Sequence, residues 1–76
     1  MKKAADVQLV LRELGQRLRS AREAAGLTQE EAAHKAGIDY KRWQRLEQGT
    51  VNPTVRTLIR VADALGIGFW GLTRRP

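Results

Sequence analysis

The stretch TQEEAAHKAGIDYKRWQRLEQG, residues 28–49, reads as two short helices joined by a corner. The Thr28 hydroxyl can accept a backbone N–H at a helix start. Glu31, three residues on, can reach back to the Thr28 amide, the reciprocal pattern of a capping box. The helix so begun covers Gln29 to Ala36 and stops at Gly37, where a left-handed residue ends a helix at least steric cost. Asp39 is placed to cap a second helix over Tyr40 to Gln48, which Gly49 ends in turn. Only Gly37, Ile38 and Asp39 lie between the two helices, too little chain for anything but a tight turn. Close crossing demands small side chains, and Ala32, Ala33 and Ala36 supply them.

The second of these helices has two unlike faces. Ile38, Trp43 and Leu46 are spaced to anchor the turn and one helix face in a core. The other face carries Tyr40, Lys41, Gln44, Arg45 and Gln48. Hydrogen-bond donors and a ring on the outer stripe, with an apolar anchor behind, are what a helix needs to enter the major groove of DNA. Tyr40, Lys41, Gln44 and Arg45 are the candidate base contacts, and Arg42, beside that stripe, is a candidate phosphate contact.

Working outward, Val7, Leu11, Leu14, Leu18, Ala21 and Ala25 repeat at helical spacing and predict a first helix over about Val7–Ala25. Gly15 inside it costs roughly 1 kcal/mol relative to Ala, and a frayed start is expected. Downstream, Asn52-Pro53 makes a turn, because a residue before proline is pushed out of the helical region. Thr54 then caps a helix over Val55–Leu65, with Val55, Leu58, Ile59, Ala62 and Leu65 facing inward. A short fifth turn or helix covers Phe69–Leu72, with Phe69 and Leu72 closing the core. Trp70 then points elsewhere, and a surface tryptophan beside a thin core suggests a dimer interface. No run of alternating β-branched residues occurs, so the fold class is all-α, five helices in one domain spanning residues 1–76.

Composition narrows the partners. Fourteen Lys and Arg against eight Asp and Glu give a net charge of +6 on 76 residues, and ten of the fourteen cations are arginine. Such a charge suits nucleic acid, an acidic membrane surface or an acidic protein. With no cysteine and one histidine there is no basis for a structural zinc site or a disulfide. His34 is expected as an exposed polar residue, and no Ser has a partnered base, so neither an enzyme, a metal nor a cofactor is expected. No apolar run approaches the roughly 18 residues of a membrane span. Arg12, Arg17, Arg19, Arg56 and Arg60 read as solvated helix faces.

Residues 15–22 (GQRLRSAR), 26–33 (GLTQEEAA), 45–49 (RLEQG), 52–54 (NPT) and 62–67 (ADALGI) occur in an order that resembles the lambda-repressor-like helix-turn-helix family. The resemblance covers about residues 12–72, with 1–11 extending the first helix. It implies a five-helix DNA-binding domain that reads a palindromic operator as a dimer. By the same resemblance Gln29 corresponds to a phosphate-binding glutamine, and Arg22 and Glu47 to a partly buried ion pair. Tyr40, Lys41 and Arg45 correspond to base-facing positions, and the stretch carrying Thr50, Asn52 and Thr54 to a loop touching the DNA backbone. The chain departs from the pattern in two places. Ala32 and Trp43 replace larger and smaller residues respectively, a swap that a core tolerates when total volume is kept. Gly68 stands where a polar helix cap is common.

The expectation is therefore a sequence-specific double-stranded DNA-binding regulator of transcription, homodimeric and cytoplasmic, without a small-molecule ligand. Its stand-alone relatives of this kind are phage repressors, controllers and antitoxins, and the length leaves no room for an inducer domain. The alternative is a protein-interaction module of the same fold that binds another regulator. A basic amphipathic peptide for membrane surfaces fits poorly with so many capping signals.

Overall fold

In the computed structural model, which describes residues 6–74, five helices follow one another: α1 Val7–Ala24, α2 Gln29–Ala36, α3 Tyr40–Gln48, α4 Val55–Ala64 and α5 Gly68–Thr73. There is no strand among the described residues. The all-α, five-helix expectation holds, and α2 and α3 keep their expected bounds because their limits are set by local chemistry. The capping box of α2 is complete, with Glu31 N–H donating to Thr28 Oγ1 at 3.1 Å and Thr28 N–H to Glu31 Oε1 at 2.9 Å. The Thr28 backbone N–H, with the Thr28 hydroxyl beside it, holds the Glu31 carboxyl below the usual carboxylate range. Gly37 and Gly49 close α2 and α3 in the left-handed region at φ 70° and 73°. Asp39 occupies the cap position of α3, but its side chain makes no capping hydrogen bond there.

Gly15 corrects one expectation. The start of α1 is not frayed: Asp6 caps it, accepting from the Gln8 N–H at 2.9 Å, and the helix runs unbroken through Gly15. The glycine is buried where α1 crosses α3, and a Cβ on it would stand 2.6 Å from the Leu46 carbonyl oxygen and closer still to that of Glu47. Gly49 meets α1 in the same way, since a Cβ there would lie 2.9 Å from the Arg12 Cα. Two glycines, one on each side of the crossing, thus let the backbones touch.

The core gathers Leu18 of α1, Ala32, Ala33 and Ala36 of α2, Trp43 and Leu46 of α3, Leu58, Val61 and Ala62 of α4, Leu65, and Leu72 of α5. Ala32 and Trp43 are both fully buried in this one cluster, as an exchange of volume between them requires. The inward stripe of α4 differs from the one expected. Val55 and Ile59 are 60% and 42% exposed, whereas Val61 is fully buried. The inward face is turned toward Val61, because α2 and α5 pack on the Leu58–Val61–Leu65 side. On α1, the stripe ends early at both limits: Val7 is 58% exposed and Ala25, past the helix, is exposed. Arg17 is not a solvated side chain. Its Nη1 donates to the carbonyls of Leu72 at 3.0 Å and Arg74 at 2.8 Å, fastening the end of α5 to α1.

Candidate nucleic-acid interface

The face of α3 opposite Trp43 and Leu46 is open. Tyr40, Lys41, Arg42, Arg45 and Gln48 are exposed and Gln44 half-buried. Gln44 Nε2 lies 3.2 Å from the Tyr40 hydroxyl one turn earlier, and the Arg45 carbonyl accepts from Thr50 N–H at 3.1 Å. The helix is thus tied at its C-terminal end, while Lys41 and Arg45 side chains reach outward without a hydrogen-bond partner among the described residues. Both donors remain available to an external acceptor.

One buried carboxylate ties this face to α1 and α2. Glu47 points back from α3 to the start of α2 and the end of α1, with its side chain 4% exposed. Arg22 grips it with two bonds, Nε to Oε2 at 2.6 Å and Nη2 to Oε1 at 3.2 Å. Gln29 Nε2 donates to Oε1 at 3.0 Å, and the Trp43 indole Nε1 to Oε2 at 2.5 Å. Burial alone would push the Glu47 carboxyl up; bonds from Arg22, Trp43 and Gln29, with the Arg22 charge, outweigh it and hold the pKa below the usual range. The bond to Glu47 likewise raises Arg22 above its ordinary value against the opposing effect of burial. The remaining Arg22 nitrogen, Nη1, donates to the Leu27 carbonyl at 2.9 Å, closing the α1–α2 turn. A buried pair with all its polar atoms engaged avoids the cost of an orphaned charge, and no buried side-chain polar atom among the described residues lacks a partner.

Of the residues expected at a DNA backbone, Gln29 stands half-buried at the first position of α2, already engaged with Glu47. It lines an open cleft together with Arg19, Thr28 and Tyr40. The cleft brings Tyr40 and Gln29 to one place; Arg19 on its rim is solvated as expected, its side chain 65% exposed and its Nε 3.4 Å from Glu23 Oε2. Thr50 and Asn52 are exposed, and Thr50 Oγ1 lies 3.3 Å from the Arg45 carbonyl. Thr54 caps α4, its hydroxyl accepting from Thr57 N–H at 3.1 Å. Trp70, far along the chain on α5, is 70% exposed, with its ring edge-to-face against Phe69 at 4.9 Å between centroids. Among the described residues no three His, Cys, Asp or Glu side chains are grouped to hold a metal ion, and no helix is long and apolar enough to cross a membrane.

The family described as helix-turn-helix domain matches residues 13–68 of the chain. An uncharacterized helix-turn-helix-type transcriptional regulator of Sinorhizobium fredii is 41% identical over 54 residues, 71% of this chain and 70% of the relative. Among solved structures, the restriction-modification controller protein C.AhdI of Aeromonas hydrophila superposes with a TM-score of 0.81 at 36% identity, over 84% of this chain and 97% of its own. A hypothetical transcription factor from Neisseria gives a TM-score of 0.84 at 26% identity, covering all of this chain and 87% of that one. A helix-turn-helix regulator from Vibrio cholerae shares the fold at 22% identity and a TM-score of 0.83, over 88% of this chain and 38% of its own.

Proposed function

The chain belongs to the lambda-repressor-like helix-turn-helix family of transcriptional regulators, and on that premise we propose that it binds a palindromic operator in double-stranded DNA as a homodimer. The observation that carries this reading is α3, whose exposed Tyr40, Lys41 and Arg45, with half-buried Gln44, lie opposite a buried Trp43 and Leu46. In the major groove those four side chains read base edges. Gln29, Arg42, Thr50, Asn52 and Thr54 meet phosphates and set the register of the helix on the duplex. Gln29 is favoured for this because the amides at a helix start attract an anion.

The protein acts in the cytoplasm by occluding or recruiting at a promoter, without catalysis, cofactor or small-molecule ligand. Among phage repressors, controllers and antitoxins, the likeness to a controller over 97% of its length supports the controller role. Selection from a random duplex pool, with sequencing of the bound fraction, tests the proposal. A single enriched motif with two-fold symmetry is the expected result. A pool that stays random after several rounds, with no shifted band on a gel, removes sequence-specific binding and favours a protein partner instead.

A further inference from the structure

Two demands meet on Gln29. Its Nε2 lies 3.0 Å from Glu47 Oε1, and the DNA-binding reading asks the same amide to meet a phosphate. A primary amide carries two N–H groups, so both contacts coexist when one N–H stays on Glu47 and the other faces the cleft that Gln29 lines. A surface glutamine left free would lose its rotamer freedom at the moment of binding. Glu47 removes much of that loss beforehand, because it is itself fixed. Its Oε2 accepts from Arg22 Nε at 2.6 Å and from the Trp43 indole at 2.5 Å, and the Trp43 ring is completely buried.

We propose that Trp43 and Glu47 are positioning residues for DNA: the indole N–H locks the carboxylate, and the carboxylate holds Gln29 with one N–H turned toward the phosphate backbone. The inference rests on the DNA-binding reading and adds to it a relay of three side chains from the interior of α3 to the first residue of α2. An aliphatic residue at position 43 would fill volume but could donate nothing, so the indole does more here than pack. Because Trp43 and Glu47 share a helix with Lys41 and Arg45, the same carboxylate sets the phosphate grip of α2 relative to the base-facing side of α3.

The test uses the full chain and a duplex recovered from the selection above. Trp43→Phe keeps most of the ring's bulk and removes the N–H. Affinities are compared for wild type, Trp43→Phe, Gln29→Ala and the double variant, each shown by thermal melting to be folded at the assay temperature. Each single change should weaken binding roughly tenfold to a hundredfold, the range for a hydrogen bond to a charged group. The double variant should bind no more weakly than Gln29→Ala alone. A merely structural loss would instead lower affinity by the same factor whether Gln29 is present or replaced, and that result overturns the relay.

A second measurement needs no variant. In the free wild-type chain the Gln29 amide proton bonded to Glu47 should be shifted by NMR from its position in free glutamine and protected from exchange. Shifts and exchange rates of an unrestrained glutamine would overturn the proposal. A wild-type chain that binds no duplex at all defeats the DNA reading, while these resonances report the Glu47 contact without DNA and so keep the two failures apart.

Discussion

Gly15 of α1 packs its Cα against the backbone of Glu47 in α3, so closely that an added Cβ would stand 2.8 Å from the Glu47 carbonyl carbon. The obstacle is main chain rather than the end of a flexible side chain, so α1 and α3 must move apart to admit it. In an isolated helix, Gly15→Ala would gain about 1 kcal/mol. Here overpacking, typically about 1–3 kcal/mol and more against backbone, opposes that gain. The expected outcome is a net loss of about 1 kcal/mol, a fall of roughly 4–8 °C in melting temperature for a chain of this size. A variant that melts at or above the wild-type temperature would show that the crossing can open freely.

Arg22 and Glu47 should be strongly coupled in a double-mutant cycle. Removing either partner leaves the other charge in a site where their side chains are only 11% and 4% exposed, which costs about 3–5 kcal/mol for a deeply buried pair. Losing both should cost much less than the sum. The same pair gives a pH dependence. Glu47 is held below its unfolded pKa of about 4.3. Its contribution is therefore complete above that value and lost as pH falls through the lower folded one. Chemical denaturation from pH 6 to pH 2 should show wild type losing stability faster than Glu47→Gln. Parallel curves would mean that the ion pair contributes nothing.

Salt dependence reports how many phosphates are met. If about six of the fourteen cations, Arg42 among them, neutralise phosphates, the slope of log K against log salt should be near −5. A slope near zero would remove the electrostatic part of the interface.

Base reading and phosphate contact separate in the next pair of variants. Lys41 and Arg45 are exposed cations on the base-facing stripe of α3, with Arg42 exposed beside them. Each should contribute about 1–3 kcal/mol of discrimination at a guanine. Lys41→Ala and Arg45→Ala should therefore relax preference at defined operator positions when the selection is repeated. An even loss across all sequences would make them phosphate contacts and leave Tyr40 and Gln44 as the readers.

The parts of this molecule that were legible in sequence are those fixed by neighbours a few residues away. Thr28 with Glu31, Gly37 and Gly49 set the limits of α2 and α3 through bonds and backbone angles that local sequence specifies. The inward face of α4 was not legible in that way. Apolar residues at 55, 58, 59, 61, 62 and 65 wrap a wide arc, and the choice between Ile59 and Val61 is made by where α2 and α5 lie. Gly15 read as a weakness because its reason, the Glu47 carbonyl, sits on another helix. Arg17 read as solvated because its acceptors are 55 and 57 residues away. Trp43 and Glu47 do stand one turn apart, a spacing at which side chains meet; the indole was read for its volume and its N–H was overlooked.

The dimer is the remaining prediction, and its seam is placed at α5 around Trp70 with the end of α4. Trp70 is 70% exposed, with its ring edge-to-face against Phe69. Tryptophan is enriched in interface cores, where its ring buries much area at little entropic loss. Two recognition helices must also stand about 34–36 Å apart to enter successive major grooves, and a seam remote from α3 leaves both free to do so. A two-fold arrangement would then bury the same surface on each copy. The rival seam is the start of α1, where Val7, Leu9 and Val10 are exposed. Sedimentation of wild type, Trp70→Ala and a chain lacking residues 1–9 separates them. The expected result is a dimeric wild type, a monomeric Trp70→Ala and a dimeric truncation. A Trp70→Ala chain that stays dimeric beside a monomeric truncation moves the seam to α1. A wild type that is monomeric and binds its operator alone removes the dimer altogether.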